Sequence, residues 1–289
     1  MLTTGRTFRK LSEVWISLML LVVFAPTYAQ TVLRYPRSNA NDERQTYPLK
    51  ILTLALSKAG GEFELKPSSH EMTQGRAIRQ LSQGLNINVV WSMTSKEREK
   101  ELLPIRIPID KGLLGWRIFF IHKKNVASFE KLNTLDELKN FEAGQGHDWP
   151  DTLILRDNGL KVQNLTNFDG SFKMLQSGRF DYFPRSISEI WAEKKNHPEV
   201  NLEVEKTIVL HYPTALYFFV NKNDKELARL IESGLRTAIK DGSFEKAFRE
   251  SYGEDIKRSN LQGRKLFQLS NPLLPVETPL QDKKLWLNF

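Results

Sequence analysis

Two short runs constrain this chain more than any other feature: Gly115–His122 (Gly-Trp-Arg-Ile-Phe-Phe-Ile-His) and Pro213–Asn221 (Pro-Thr-Ala-Leu-Tyr-Phe-Phe-Val-Asn). Apolar runs of this length, dense in aromatic and branched residues, read as buried strands. They bracket a middle block with the same strand–helix grammar as the segment before it. This arrangement predicts one domain inserted into another, with the two runs as strands that cross between them. The expected division is lobe 1 from residues 30–115 and 214–289 and lobe 2 from residues 116–213.

The grammar itself points to an α/β fold. Thr31–Tyr35 reads as a strand, and Leu49, Ile51, Leu52, Ala55, Leu56 and Ala59 form a helical apolar face started by Pro48 and stopped by Gly60-Gly61. Phe63–Lys66 is extended, and Thr73 begins a helix with Ala77, Ile78 and Leu81 on its apolar side. Asn86–Trp91 and Leu103–Ile109 follow as strands. In the middle block Thr134 and Glu137 fit a capping box, as do Ser186 and Glu189. Phe141–Gly146 is a strand entering a glycine turn. Pro150 and Gly159 mark the first position and the stop of a helix. Ser171–Gln176 is a further helix and Arg179–Phe183 a further strand. Lys225–Lys240 carries a helical apolar stripe, Phe244–Tyr252 another helix, and the tail from Asn271 no regular pattern. Alternation at this spacing implies βαβ units and mostly parallel sheets with helices on both faces.

The N-terminus adds a location. Arg6, Arg9 and Lys10 precede an apolar run, Val14–Phe24, and then Ala-Pro-Thr-Tyr-Ala-Gln. Thr27 and Ala29 are small enough for the two positions a signal peptidase reads, so residues 1–29 are expected to be a signal peptide cleaved before Gln30. The run is shorter than the roughly 20 residues a membrane-spanning helix needs. The chain has no Cys, which excludes a lipid-anchored cysteine, disulfides, thiol nucleophiles and Cys-based metal sites. Lys and Arg total 42 against 34 for Asp and Glu, an excess spread along the chain without basic blocks. Export argues against nucleic acid and leaves weak attraction for anionic solutes.

Three signatures then carry a resemblance: Trp91-Ser92-Met93-Thr94-Ser95-Lys96-Glu97-Arg98, Gly178-Arg179-Phe180-Asp181, and Ala238-Ile239-Lys240-Asp241-Gly242-Ser243-Phe244. In this order, around two crossing strands, the chain resembles the periplasmic solute-binding proteins of the amino-acid-binding type (family 3, periplasmic binding protein type II-like). The resemblance implies two α/β lobes with mostly parallel sheets joined by two crossing strands. It implies a small-molecule ligand captured in the cleft between them, as in a Venus flytrap, for ABC-type uptake. It implies a periplasmic monomer without cofactor or metal, with an inner-membrane permease as partner.

The same resemblance makes Arg98 the arginine that pairs a ligand carboxylate, with Ser92 or Ser95 as neighbouring hydroxyl donors. A guanidinium fork fixes a carboxylate by two parallel hydrogen bonds. The alternative for Arg98 is an exposed helix arginine beside Glu97 and Glu99. Where the resembled proteins place an acidic residue for the ligand ammonium, this chain has Arg185 and Ser186. Arg185 at a helix start would favour an anionic ligand group over an ammonium; alternatively, it pairs with Glu189. Trp91 belongs to the first signature. Trp116 and Trp149 are candidate stacking walls, and Tyr35 ends the first strand, where parallel sheets place ligand contacts. Arg117, inside a crossing strand, must meet a carboxylate or face the cleft. Asp148 reads either as a loop contact or as the cap of the next helix.

No catalytic pattern emerges. The five histidines, His70, His122, His147, His197 and His211, lack paired metal spacing. No nucleophile elbow, phosphate loop or dinucleotide fingerprint is present. Two further readings remain open. One is a ligand-sensing subunit for a membrane signalling partner. The other is a dehydratase resembling the binding proteins, with Glu71 as the carboxylate to examine.

Overall fold

The computed structural model describes residues 1–2, 31–37 and 43–287; beyond Met1 and Leu2, the predicted signal peptide lies outside them. The chain first builds β1 (Thr31–Arg37), α1 (Thr46–Ala59), β2 (Phe63–Glu71), α2 (Gln74–Ser82), β3 (Val89–Met93), α3 (Lys96–Glu101) and β4 (Leu102–Ile105). Next comes β5 (Trp116–His122), the first of the aromatic-rich runs. The middle block continues with α4 (Val126–Glu130), α5 (Leu135–Leu138), β6 (Glu142–Gly146), α6 (Pro150–Asp157) and β7 (Lys161–Leu165). It closes with α7 (Phe168–Gln176), β8 (Tyr182–Ser186), α8 (Ile187–Asn196), β9 (Leu202–Val204) and β10 (Ile208–His211). The second aromatic run is β11 (Leu216–Asn221), followed by α9 (Lys225–Lys240), α10 (Ser243–Ser259) and β12 (Lys265–Gln268).

Local sequence signals explain most of these ends. Ile51, Leu52, Ala55 and Leu56 turn one face of α1 into the core, and Gly60 ends the helix at a φ of 80°. Both capping boxes form: Thr134 with Glu137 opens α5, and Ser186 with Glu189 opens α8. The Thr73 hydroxyl accepts from the Arg76 amide and starts α2. Gly234 lets α9 approach α1, since a Cβ there would collide with the Ala55 carbonyl.

β11 lies between β3 and β4, while β5 lies inside a seven-stranded sheet ordered β12-β10-β5-β8-β6-β7, with β9 also paired to β5. β1 and β2 pair with each other, and β1 meets the β3 end through Asn88: its amide donates to the Arg34 carbonyl at 2.8 Å, and its side chain accepts from the Arg34 amide at 2.8 Å. Among the described residues, β1–β2, β6–β7, β6–β8 and β10–β12 are parallel. Every antiparallel ladder involves β5 or β11. The α/β units thus supply the parallel pairs, and the two strands read as crossings supply the reversals.

Between the seven-stranded and the three-stranded sheets the chain forms a narrow waist. The Ile109 amide donates to the Leu216 carbonyl at 2.9 Å, and the Tyr212 amide donates to the Gly115 carbonyl at 3.3 Å. Gly115 is required by this approach: any Cβ would be driven into the Tyr212 carbonyl oxygen. Asp110 caps the turn of the same segment, accepting from the Gly112 amide at 3.1 Å and the Leu114 amide at 2.7 Å. Burial pushes its carboxyl up to about 6 against those bonds.

The tail corrects one boundary. The division read from sequence gives residues 214–289 to lobe 1, but Lys265–Gln268 pairs with Ile208–His211 in the seven-stranded sheet. Arg264 directs it there. Its buried guanidinium donates to the Glu205 carbonyl at 2.6 Å and the Ile208 carbonyl at 3.0 Å, with the Glu205 carboxylate at 3.5 Å. The chain then recrosses the waist, where Asn271 Nδ2 donates to the Pro213 carbonyl at 2.9 Å and the Lys96 amide to the Leu273 carbonyl at 2.9 Å. Beyond it the tail packs without strands, laying the Trp286 ring over Gly112 while the Leu287 amide donates to the Lys111 carbonyl at 2.8 Å.

Two stability outcomes follow from the waist. Gly115→Ala should destabilise the fold by about 1–3 kcal/mol, read as a lowered urea midpoint with an unchanged slope. For Asp110, a folded value of about 6 above the ordinary 3.8 means the folded chain holds the proton more tightly. Its contribution is therefore present below pH 3.8 and is lost as pH rises through about 6. Over that window wild-type stability should fall relative to Asp110→Asn by up to about 3 kcal/mol, measured by urea denaturation at each pH.

Candidate functional site

A cleft of about 330 Å³ lies where strand ends from all three sheets meet. One wall comes from the first segment and includes Arg37, Arg44, Gln74, Trp91 and Ser92. The other comes from the middle block and includes Arg117, Asp148, Trp149, Asp151, Arg185 and Glu189.

Arg98 stands behind the first wall. It is 7% exposed, so the reading as an exposed helix arginine fails. Ser95 caps α3 by accepting from the Arg98 amide at 3.2 Å, which fixes the residue at the helix start. Its guanidinium donates to Ser92 Oγ at 2.6 Å, the Met93 carbonyl at 2.8 Å, Gln74 Oε1 at 2.6 Å and the Asp148 carbonyl at 3.4 Å. All four acceptors are neutral oxygens. Burial accordingly pulls its pKa down to about 10, against weaker opposing pulls from Asp151 and Asp148. A buried cation fed only by neutral acceptors is electrostatically incomplete.

The second wall is the reverse case. Antiparallel pairing of β5 with β8 sets Arg117 opposite Ser186 and Ile118 opposite Arg185. Arg117 meets Asp151 at 2.6 Å and Glu189 at 3.2 Å, and the Tyr212 hydroxyl donates to Asp151 as well. Arg185 is held by Glu193 through two bonds of 2.8 and 2.6 Å and by Glu189 at 3.1 Å. Burial alone would lower both arginines, but these carboxylates outweigh it and hold them above their ordinary values. Two guanidinium charges of this wall face three carboxylates, and Arg44 from the facing wall also helps hold the Glu189 carboxyl below its ordinary value. One buried donor of this wall, Arg117 Nε, has no hydrogen-bond partner among the described residues. The guanidinium of Arg185 lies over the Trp149 ring at 4.8 Å.

The structure therefore brings Trp91, Ser92, Arg117, Trp149 and Arg185 to the cleft, with Arg98 directly behind Ser92. Three expected residues fall elsewhere. Trp116 points to the opposite face of β5 from Arg117, as strand alternation requires, and stacks on His211 at 4.0 Å. Tyr35 backs Trp91 at 5.9 Å without lining the cleft, and the Ser95 hydroxyl is taken by its own helix. The surplus positive potential expected at Arg185 is also absent, because Glu189 and Glu193 neutralise it. Glu71 is exposed and lies outside the cleft lining.

Sequence reasoning missed Gln74, Asp151 and Glu193. Glu193 was within reach, since Glu189 and Glu193 share one face of α8 by their four-residue spacing, and Arg185 lies in the strand that leads into that helix. Asp151 and Gln74 join through tertiary contacts that no local pattern marks. Asp148 caps neither its own helix nor a loop: Trp149 occupies the cap position of α6, and the Asp148 carboxylate accepts from the Gly75 amide at 3.1 Å on the facing wall.

Comparison with known proteins matches this geometry to one fold. An ancestral arginine-binding protein bound to arginine superposes with a TM-score of 0.58 at 23% identity, covering 78% of this chain and 99% of that one. An arginine-specific periplasmic binding protein from Salmonella typhimurium gives 0.59 at 14% identity, covering 77% and 99%. A putative L-cystine ABC transporter protein from Listeria monocytogenes gives 0.57 at 15% identity, covering 78% and 97%. No family model matches the sequence, and no curated protein matches it. The chain has the two-lobed α/β fold of the type II periplasmic binding proteins, with a cleft between its sheets.

One outcome tests the charge network. Glu193→Ala should cost about 3 kcal/mol, because it strips the bidentate partner from a buried guanidinium. Thermal unfolding checks it, and an unchanged midpoint would show that Glu189 alone suffices.

Proposed function

We propose that this protein is an exported solute-binding protein that captures a small zwitterion in the interlobe cleft and delivers it to an inner-membrane permease. In this reading lobe 1 comprises residues 30–115 and 214–289 apart from Lys265–Gln268, and lobe 2 comprises residues 116–213 with that strand added. The location is the periplasm, in keeping with the leader-like N-terminus. Among the described residues no helix is long and apolar enough to cross a membrane.

The observation that carries the reading is the opposed charge of the two walls. Arg37 lines the lobe 1 side with Arg98 buried behind Ser92, and among the described residues no carboxylate lines that wall. Asp148, Asp151 and Glu189 stand on the lobe 2 side and outnumber Arg117 and Arg185 there. A ligand carboxylate directed at Arg98 would replace Gln74 Oε1 with an anion, and a ligand cation would meet Asp151 or Glu189. Trp91 and Trp149 supply flat apolar surface for the ligand's body. Contact with both walls at once favours the closed form, so binding and closure are linked. Two of the superposed proteins are described as binding or being specific for arginine, an α-amino acid of this charge pattern.

The deciding experiment is a thermal-shift screen of amino acids, dicarboxylates, keto acids and small peptides. A ligand at a hundred times its Kd should add about 2.7 kcal/mol of stability. Amino acids are expected to raise the midpoint, and keto acids of the same side chain are not. Arg98→Met should weaken the binding compound on the order of tenfold to a hundredfold, the worth of a charge-assisted hydrogen bond pair. Equal binding of keto acids, or no response to any amino acid, would sink the zwitterion reading.

A further inference from the structure

Asp148 is a latch. We infer that this carboxylate, carried on the lobe 2 loop between β6 and α6, holds the empty cleft closed by capping α2 of lobe 1. Three observations point to this role.

The first is that Asp148 ignores the helix beside it. It stands one residue before Trp149, the cap position of α6, where no side-chain cap bond forms. Its carboxylate instead reaches across the cleft to the Gly75 amide at 3.1 Å. That amide lies in the first turn of α2, where free N–H groups and the helix dipole favour a negative charge. The first turn of α2 holds no acidic residue of its own.

The second is that Gly75 makes room for the contact. A Cβ at that position would stand 3.3 Å from Asp148 Oδ2, tighter than ordinary packing. The third is that the same residue contacts the lobe 1 arginine, since the Asp148 carbonyl accepts from Arg98 Nη2 at 3.4 Å. The loop behind it is braced on lobe 2, with the His147 amide donating to the Leu165 carbonyl at 3.0 Å and the Trp149 amide to the Gly146 carbonyl at 3.0 Å. One residue on a braced loop therefore holds both a helix start and a buried cation of the facing lobe.

The consequence concerns the empty protein. Other contacts also join the lobes, among them Trp191 Nε1 donating to Ser259 Oγ at 2.8 Å and Arg44 over the Phe168 ring at 4.2 Å. With Asp148 seated on α2, the closed arrangement has a bond of its own. A ligand carboxylate that takes the Arg98 guanidinium in place of Gln74 Oε1 leaves the Asp148 carboxylate on the Gly75 amide. The latch thus acts beside the ligand. It rests on the two-lobed reading but not on the identity or existence of a solute.

The chain's lack of cysteine permits a direct test on the full-length mature protein. Spin labels at Arg79→Cys on α2 and Lys173→Cys on α7, both exposed, report the distance between lobes by pulsed electron resonance without ligand. The wild-type background should show a populated short distance. Asp148→Ala should lower the ratio of short to long distances by about tenfold, the effect of losing a hydrogen bond to a charged group. Asp148→Asn keeps an acceptor without the charge and should fall between them. Small-angle scattering of the unlabelled proteins should give a larger radius of gyration for Asp148→Ala at an unchanged unfolding midpoint. Identical distance distributions in wild type and Asp148→Ala, or a wild type with long distances only, would overturn the latch. A failed ligand screen with an intact Asp148 effect would instead overturn the solute-binding reading and leave the latch standing.

Discussion

Everything in this molecule depends on how closely the chain can pass itself at the waist. Gly115 and Tyr212 meet backbone to backbone, and the hydrogen bonds at Ile109–Leu216 and Tyr212–Gly115 tie the outgoing and returning segments together. That pairing sets β5 and β11 as antiparallel members of their two sheets. Their register in turn decides which side chains reach the cleft. Arg117 faces it and Trp116 does not, because neighbouring residues on a strand point to opposite faces.

The cleft then collects charge from both sides in unequal ways. On the lobe 2 side, Arg117 and Arg185 are enclosed by Asp151, Glu189 and Glu193, a set in which each partner compensates another's burial. On the lobe 1 side, Arg98 is dressed only in neutral oxygens. A buried ion pair adds little net stability but strongly resists losing one partner. The lobe 2 set therefore reads as a fixed scaffold, and Arg98 as the position still able to gain from an anion.

Much of the fold was legible because its signals are local. The boxes at Thr134–Glu137 and Ser186–Glu189, Pro150 at the first position of its helix and Gly60 after another each settle an element end within a few residues. The two aromatic-rich strands were legible from their composition. Each stays within a single sheet, β5 in the seven-stranded and β11 in the three-stranded, and the connecting segments beside them pass between the sheets. What could not be read was set at long range. Lys265–Gln268 joins the larger sheet because Arg264 finds Glu205, and Asp151 reaches Arg117 only once β5 and α6 are packed. For the site, residue types were visible but their partners were not. Arg185 was visible as a cation at a helix start, whereas its neutralisation by Glu193 required the helix to be folded. Tyr35 and Ser95 show the complementary error, in which nearness in sequence to the cleft did not become contact with it.

Two of the six tryptophans, Trp91 and Trp149, line the cleft on opposite walls. Indole emission responds to the polarity of its surroundings and to charges close to the ring, and Arg185 already sits over Trp149 at 4.8 Å. A molecule lodged between those rings would change the light they give off, with one indicator standing on each wall.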